Sequence, residues 1–444
     1  MNTLMAFLIV TITKEYLFLM KCPFLFLYSL TTLVLVVTTL TAVAEPRTPS
    51  VDELWKIIQS QQAEIEALKR QQQSTDQRVE AASEKAVTAD KKAEAAVVAV
   101  EESSARTTGA GSWADKTKLG GYGELHYNHL DSKKEVDFHR FVLSLGHEFT
   151  DSIRLFSEVE IEHAVAAPDE NGEVELEQAY LEFDLNNRHT AKTGVFLIPV
   201  GILNETHEPP TFYGVERNPV ETDIIPTTWR EAGADFNGEL GRGFSYSLAG
   251  TSGLDVATSG SDAFLIREGR QEVSEAKAND GAVTGRLKWT GLPGVELGLT
   301  GQWQKDITQS ALGVGATLLE AHGDIQQGPF GFRVLYARWD LDKHNVIDAS
   351  DPDAIGRDEQ EGWYVEPSYK TRLGEIPGEW GLFVRYNVWD NNAGSSDDSV
   401  MKQINSGLNY WPIPDVVFKF DVQAQDNDSA ENDNGFNLGI GYQF

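Results

Sequence analysis

From Lys116 to the C-terminus, apolar and polar residues take turns. Phe436, Leu438, Ile440, Tyr442 and Phe444 alternate with Asn437, Gly439, Gly441 and Gln443. Val416, Phe418, Phe420 and Val422 alternate with Lys419, Asp421 and Gln423. Earlier, Ile153, Leu155, Val159 and Ile161 alternate with Arg154, Glu158, Glu160 and Glu162, as Ala179, Leu181, Phe183 and Leu185 do with Gln178, Tyr180, Glu182 and Asp184. Successive side chains of a strand point to opposite faces, so each segment predicts a strand with one apolar and one polar face. About 16 such segments can be read by this criterion. They begin with Lys118–His129, Val136–Glu148, Ser152–His163, Val174–Leu185, Thr190–Ile198, Thr228–Asn237, Gly243–Thr251 and Ala282–Thr290. They continue with Val295–Lys305, Leu312–His322, Phe330–Asp340, Gly362–Arg372, Trp380–Asp390, Met401–Trp411, Asp415–Gln425 and Phe436–Phe444.

A soluble β-sandwich would bury the apolar face as its core. Here the polar face is charged nearly throughout and the chain closes on an aromatic residue. The pattern therefore predicts an all-β transmembrane barrel of about 16 antiparallel strands, a size that leaves an aqueous channel. Short links (Thr150-Asp151, Asn186–His189, Gly291–Gly294, Pro412–Pro414) alternate with longer acidic ones. That asymmetry separates a rim of turns from a rim of loops. Trp289, Trp303, Trp339, Trp363, Trp380, Trp389 and Trp411 fall near strand ends, where amphipathic rings would form girdles at the two bilayer interfaces, with some of the set expected instead in the lumen or in turns.

Residues 51–104 follow another rule. Val51, Leu54, Ile58, Gln61, Ile65, Leu68, Gln72, Thr75, Val79, Ala82, Ala86, Ala89, Ala93, Ala96 and Val100 recur at a 3-4 spacing in a stretch without Gly or Pro. A seam with this period predicts an α-helical coiled coil over 51–105, preceding the barrel. A lone solvated helix is the weaker reading. Before it, Lys21, the apolar run Phe24–Leu40 and Ala42-Val43-Ala44 read as the three parts of a secretory signal peptide over 1–44, with Met20 as the expected true start. A retained anchor is the alternative. The expected organisation is signal peptide 1–44, linker 45–50, coil 51–105, linker 106–116 and barrel 117–444.

Composition agrees with export. The 444 residues carry a formal charge of −31, which makes nucleic acid an unsuitable partner. The single Cys, Cys22, lies before the apolar run and would leave with the signal. After that run no stretch approaches the roughly 18 apolar residues of a spanning helix. Candidate chemistry is sparse. Acid-and-amide clusters at Asp390-Asn391-Asn392 with Asp397-Asp398, and at Asp426–Asn434, lack a full Ca²⁺-loop spacing and read as solvated loops. The nine His show no HExxH spacing; Glu124-x-His126 and His139-Arg140 read as rim or lumen residues rather than ligands. No nucleophile elbow, P-loop or dinucleotide fingerprint precedes a helix. The expectation is a non-enzymatic protein with no cofactor; a membrane-embedded hydrolase has no positive sign.

Two stretches carry a family resemblance. The ending Gly441-Tyr442-Gln443-Phe444 is like the assembly signal of outer-membrane barrels. The stretch Val195–Ala234, with Pro199-Val-Gly-Ile-Leu-Asn-Glu-Thr-His-Glu-Pro-Pro-Thr-Phe-Tyr-Gly-Val-Glu-Arg-Asn-Pro219 at its centre, resembles the phosphate-selective porin O and P family. The resemblance covers roughly residues 117–444. It implies a homotrimer of 16-stranded barrels in the outer membrane of a Gram-negative bacterium, with inward-folded loops narrowing the pore; because the N-terminus enters the first strand from the periplasmic side, the coil is expected in the periplasm. Lipid and lipopolysaccharide outside, and small solutes or ions within, are the implied partners. The expected function is passive diffusion of small hydrophilic solutes. A structural tether, with the barrel anchoring a coil that reaches the cell wall, is the alternative.

The family's anion preference depends on rows of lumenal Arg and Lys, and this sequence departs from it. Arg140, Arg154, Arg286, Lys288, Arg333, Arg385 and Lys419 fall on inward positions beside Glu124, Glu158, Glu160, Glu162, Glu182, Asp184 and Asp421. Mixed rings give weak selectivity, and the acidic loops favour weak cation preference or near neutrality. The loop between Pro199 and Pro226 is the candidate constriction, since its prolines and Gly214 prevent strand and it carries Phe212, Tyr213, Glu216 and Arg217. An external cover loop is the alternative.

Overall fold

The computed structural model describes residues 113–165, 172–310, 312–396, 399–427 and 432–444, with isolated positions 55, 62 and 69. The expected signal peptide and coiled coil lie outside the described residues.

A short 3₁₀ turn, Trp113–Lys116, leads into sixteen strands. They are β1 (Thr117–Leu130), β2 (Lys134–Thr150), β3 (Ile153–Glu162), β4 (Val174–Asn186), β5 (His189–Leu197), β6 (Arg230–Gly241), β7 (Phe244–Thr251) and β8 (Ala282–Leu292). Then follow β9 (Val295–Gln304), β10 (Ala316–Gln327), β11 (Phe330–Leu341), β12 (Glu359–Thr371), β13 (Glu379–Asp390), β14 (Met401–Ile413), β15 (Val416–Asn427) and β16 (Gly435–Gln443). Each pairs antiparallel with its chain neighbours, and β1 pairs with β16, so the sheet closes on itself. Closure removes the open edges that a lipid environment would leave unsatisfied. The terminal bonds Gly121 N–H to Phe444 O (3.0 Å) and Phe444 N–H to Gly121 O (2.8 Å) lock the aromatic C-terminus onto β1.

The alternation sorts side chains as expected. Leu143, Val159, Leu176, Leu287, Leu299, Leu319, Leu382, Phe418 and Leu438 stand exposed on the outside, while Glu124, Arg140, Glu160, Thr284, Gln302, Glu366, Arg385 and Asp421 are buried inside. One rim has two-residue turns at 151–152, 187–188, 242–243, 293–294, 328–329 and 414–415, and the opposite rim carries the long connections 198–229, 252–281 and 342–358.

The Trp set divides between the outer wall and the lumen. Trp380 stacks on Tyr410 (4.2 Å), Phe244 meets Trp289 (6.4 Å) and Trp363 meets Tyr386 (5.6 Å), all on the outer wall. Trp339, Trp389 and Trp411 instead point inward and are buried. The reason is a hydrophobic core inside the barrel. Inward Leu318, Leu335, Ala337, Trp339, Tyr364 and Trp389 of β10 to β13 pack against Ile198, Phe212, Ile224, Ile225 and Trp229 of the 198–229 loop and against Leu254, Phe264, Ile266, Ile307 and Ile347 of other loops. Wall positions that should meet water meet folded chain.

Candidate functional site

The loop at 198–229 is tied at its neck by Asn204. Its Nδ2 donates to Ile198 O (2.8 Å) and Trp229 O (3.0 Å), and its Oδ1 accepts from Trp229 N–H (2.8 Å). A second tie is the buried Glu221. One carboxylate oxygen accepts from the Ile202 and Leu203 N–H groups (2.8 and 2.7 Å), the other from the Tyr364 hydroxyl (2.8 Å) and Asn218 Nδ2 (3.2 Å). Gly201 makes this possible: at φ +67 it adopts the left-handed region, and a Cβ there would lie 2.7 Å from Glu221 Oε2.

Beyond these ties the loop descends the lumen almost to the turn rim. Pro210 O accepts from Trp411 Nε1 (3.1 Å), two residues from the end of β14, and Thr211 O accepts from Arg333 Nη2 (3.1 Å) near the start of β11. Asn409 Nδ2 donates to Phe212 O (3.1 Å), Arg385 donates to Tyr213 O (3.1 Å) and Glu216 O (3.3 Å), and Asp421 accepts from Val215 N–H (2.7 Å). Tyr213 packs on Phe383 and Trp411 (5.3 and 5.6 Å), and Lys419 Nζ sits 3.4 Å above the centre of the Phe212 ring. Gly441 leaves room for this approach, because a Cβ there would meet Pro209 Cβ at 2.2 Å. The loop is an inward one, not an external cover.

The sequence-derived lumen residues divide into two groups. Arg333, Arg385 and Lys419 lie beneath the loop and hold it, and Tyr213 is one of the loop residues they hold. Arg140 joins wall charges to the loop: its Nε donates to Glu124 (2.6 Å), its Nη2 to His207 O (3.3 Å), and Glu160 lies 3.9 Å away. Arg154 is clamped between Glu182 (2.6 Å) and Asp184 (2.5 Å). Glu216 accepts from Asn128 Nδ2 (2.8 Å) and faces His126 Nδ1 (3.3 Å). Desolvation alone would raise the Glu216 carboxyl pKa, but His126, with His139 and Lys133 behind it, outweighs that and holds it well below the usual carboxylate range. Arg217 donates to Thr228 Oγ1 (3.0 Å); desolvation, helped by the neighbouring Arg140 charge, holds its pKa down to about 10.

Open space remains along the β3–β8 wall. A cavity of about 210 Å³ is lined by Tyr122, Phe156, Glu158, Gln178, Tyr180 and Lys192 of the wall and by Glu205, His207 and Glu208 of the loop. A larger one of about 740 Å³ at the turn rim is lined by Asp151, Asp184, Arg188, His189, Tyr246, Arg286, Lys288 and their neighbours. Arg286 lines the second and is ion-paired with Glu205, which lines the first. Of the inward charges read from the sequence, Glu158, Asp184, Arg286 and Lys288 border this space. Glu205, His207, Glu208, Tyr122 and Lys192 were not singled out. Glu205 and Glu208 lie in the loop already chosen, and Lys192 sits on an inward position of β5, so both signals were present in the pattern.

The model of the family described as phosphate-selective porin O and P matches residues 107–444. The chain belongs to that family. An uncharacterised protein of Aquifex aeolicus is 31% identical to this porin over 350 residues, which are 71% of this chain and 77% of that one. Among solved structures, Salmonella typhi OmpF in complex with daunomycin superposes with a TM-score of 0.50 at 13% identity, covering 74% of this chain and 97% of that one. The anion-selective porin of Comamonas acidovorans gives 0.49 at 12% identity, covering 74% and 99%. The trimer form of Vibrio cholerae OmpT gives 0.47 at 12%, covering 74% and 99%. Family and closed barrel together place this porin among outer-membrane channels.

Proposed function

We propose that the protein is a passive diffusion channel for small hydrophilic solutes with a weak preference for cations, passing them along the β3–β8 wall. The observation that carries the preference is the lining of the smaller cavity, where Glu158 and Glu208 face Lys192 and His207 while Glu205 is balanced by Arg286. Like-signed groups around a narrow passage attract the opposite ion and repel its counter-ion. Lys192 is itself drawn toward Asp235 (3.4 Å) and the Phe196 ring (5.0 Å), which weakens its claim on a passing anion. The family's preference for phosphate is therefore not carried to this chain. Trimeric assembly, and a periplasmic coil over 51–105 after cleavage of 1–44, complete the reading as the family resemblance and the heptad pattern suggest it.

Reversal potential across a salt gradient, measured on the purified protein in a planar bilayer, tests this. The expected sign is that of modest cation preference; strong anion preference would restore the phosphate-type reading. Deleting Phe212–Arg217 should raise single-channel conductance. Unchanged conductance in a folded barrel would take the loop out of the conduction path.

A further inference from the structure

At the loop-side mouth, three side chains distant in pattern meet on one point. Asp137 Oδ2 lies 2.8 Å from His163 Nδ1 and 3.3 Å from His139 Nδ1, and the three ligand-type atoms are all within 4.8 Å of one another. The pairing of β1 with β2 slips by one residue between Glu124 and His126, so that Glu124 faces Arg140 while His126 faces Asp137. That slip brings the extra residue, His139, onto the lumen-facing His126, with ring centres 4.7 Å apart. His163 follows the last residue of β3; its N–H donates to His139 O (3.0 Å) and its φ is +49. The backbone thus holds His163 against His139 in a conformation that non-glycine residues adopt sparingly.

We propose that Asp137, His139 and His163 bind one divalent transition-metal ion of the zinc class. Two imidazoles and one carboxylate are a donor set suited to such ions and poorly suited to Mg²⁺ or Ca²⁺, which prefer all-oxygen shells. Zinc binds N and O donors at about 2.0–2.2 Å, which sets tetrahedral ligand atoms roughly 3.3 Å apart. The two separations from Asp137, 2.8 and 3.3 Å, lie at or below that value, so the ion fits after small side-chain rotations that open the cluster. Without metal each imidazole can donate its Nδ1 proton to the shared carboxylate; the ion replaces those protons, as its ligands must be deprotonated nitrogens. Asp137, His139 and His163 are 20%, 33% and 37% exposed, so the ion reaches them from the mouth and a fourth position stays open to water. His126, stacked behind His139 and held by Glu124 (3.1 Å) and Glu216 (3.3 Å), fixes the ring plane. This site stands independently of the channel's ion preference.

The test is calorimetric titration of the full-length folded protein in detergent with Zn²⁺, and with Mg²⁺ in parallel. One Zn²⁺ per chain is expected, with no Mg²⁺ heat. His139→Ala and Asp137→Asn should each weaken Zn²⁺ by at least about tenfold, since even an outer-shell change commonly costs that much. His147→Ala, on the outer turn-side rim, should bind as wild type. Heat-modifiable gel mobility confirms that each variant is folded. Wild-type protein that takes up no Zn²⁺ at millimolar concentration would overturn the site, as would Zn²⁺ binding unchanged in His139→Ala and Asp137→Asn.

Discussion

Strands β10–β16 and strands β3–β8 line the same lumen, yet the loop treats them differently. Against the first group it is fastened. Trp339, Tyr364 and Trp389 give it an apolar bed, and Arg385, Asn409 and Asp421 bind its backbone directly. Against the second it leaves open space, bordered by Glu158, Tyr180, Lys192 and Arg286. Inward charges on the two walls look alike in sequence, but those under the loop bind its carbonyl and amide groups, whereas those opposite pair with other side chains, Arg154 with Glu182 and Asp184, Lys192 with Asp235 and Arg286 with Glu205, at the border of the cavities. Mutations on the fastened wall should therefore change stability and pore width, and mutations on the open wall should change selectivity.

The largest effect is expected at Trp339, whose ring is fully buried between β11 and the loop and whose Nε1 donates to Ile224 O (3.0 Å). Trp339→Ala should cost roughly 3–5 kcal/mol of local stability through the cavity it leaves. The readouts are a lower temperature of heat modification and a larger, noisier conductance. An unchanged conductance histogram would mean that the apolar bed does not hold the loop.

Glu221 comes next. Glu221→Gln keeps the shape but replaces one acceptor oxygen by a donor among groups that all donate to it. Leaving a buried donor unpaired costs about 1–3 kcal/mol. The loop should then visit a released state, seen as brief high-conductance events and faster proteolysis between Gly201 and Asn218. Neither change is expected for Glu158→Gln.

On the open wall, Glu158→Gln combined with Glu208→Gln should move the reversal potential toward zero while leaving heat modification unchanged. The shift should be larger in dilute salt, because screening shortens the reach of these charges to about 8 Å at physiological ionic strength. A reversal potential unmoved at low salt would place the selecting charges elsewhere.

Much of this was legible in the residues, and the limits are instructive. Strand positions and the short-turn rim follow from period-two alternation, because the outer face must be apolar wherever lipid touches it. A long non-strand segment was legible from Pro209, Pro210 and Pro219, which forbid ladder pairing, but those residues alone left its inward course and an external cover equally open. What fills the lumen was not legible. Leu318, Leu335 and Trp339 sit on inward positions that alternation alone assigns to water, and only the folded loop makes them a core. Which Trp would leave the girdle for the lumen, as Trp389 and Trp411 do, was hidden for the same reason. The Asp137, His139 and His163 cluster was hidden because it depends on a slipped register and on one left-handed residue, neither of which leaves a spacing motif.

The smallest effect expected is that of mild acid on the fastening at Glu216. An ordinary glutamate titrates near 4.3. Desolvation pushes the Glu216 pKa up, the His126 pairing overrides it, and the net shift is downward. A carboxyl whose folded-state pKa is depressed contributes stability that is fully present above its unfolded value and is lost only as pH falls through the folded one. Between pH 7 and pH 5 the Glu216 contribution should therefore stay constant, and it should fade only in acid well below the ordinary carboxylate range. The measurement is the difference in conductance between wild type and Glu216→Gln, followed across pH at fixed salt, so that titration of other groups cancels. A difference that already shrinks between pH 6 and pH 5 would show that Glu216 is not held as an ion pair by His126. The loop would then be held by its contacts to β10–β16, among them those of Arg333, Arg385, Asn409, Trp411 and Asp421.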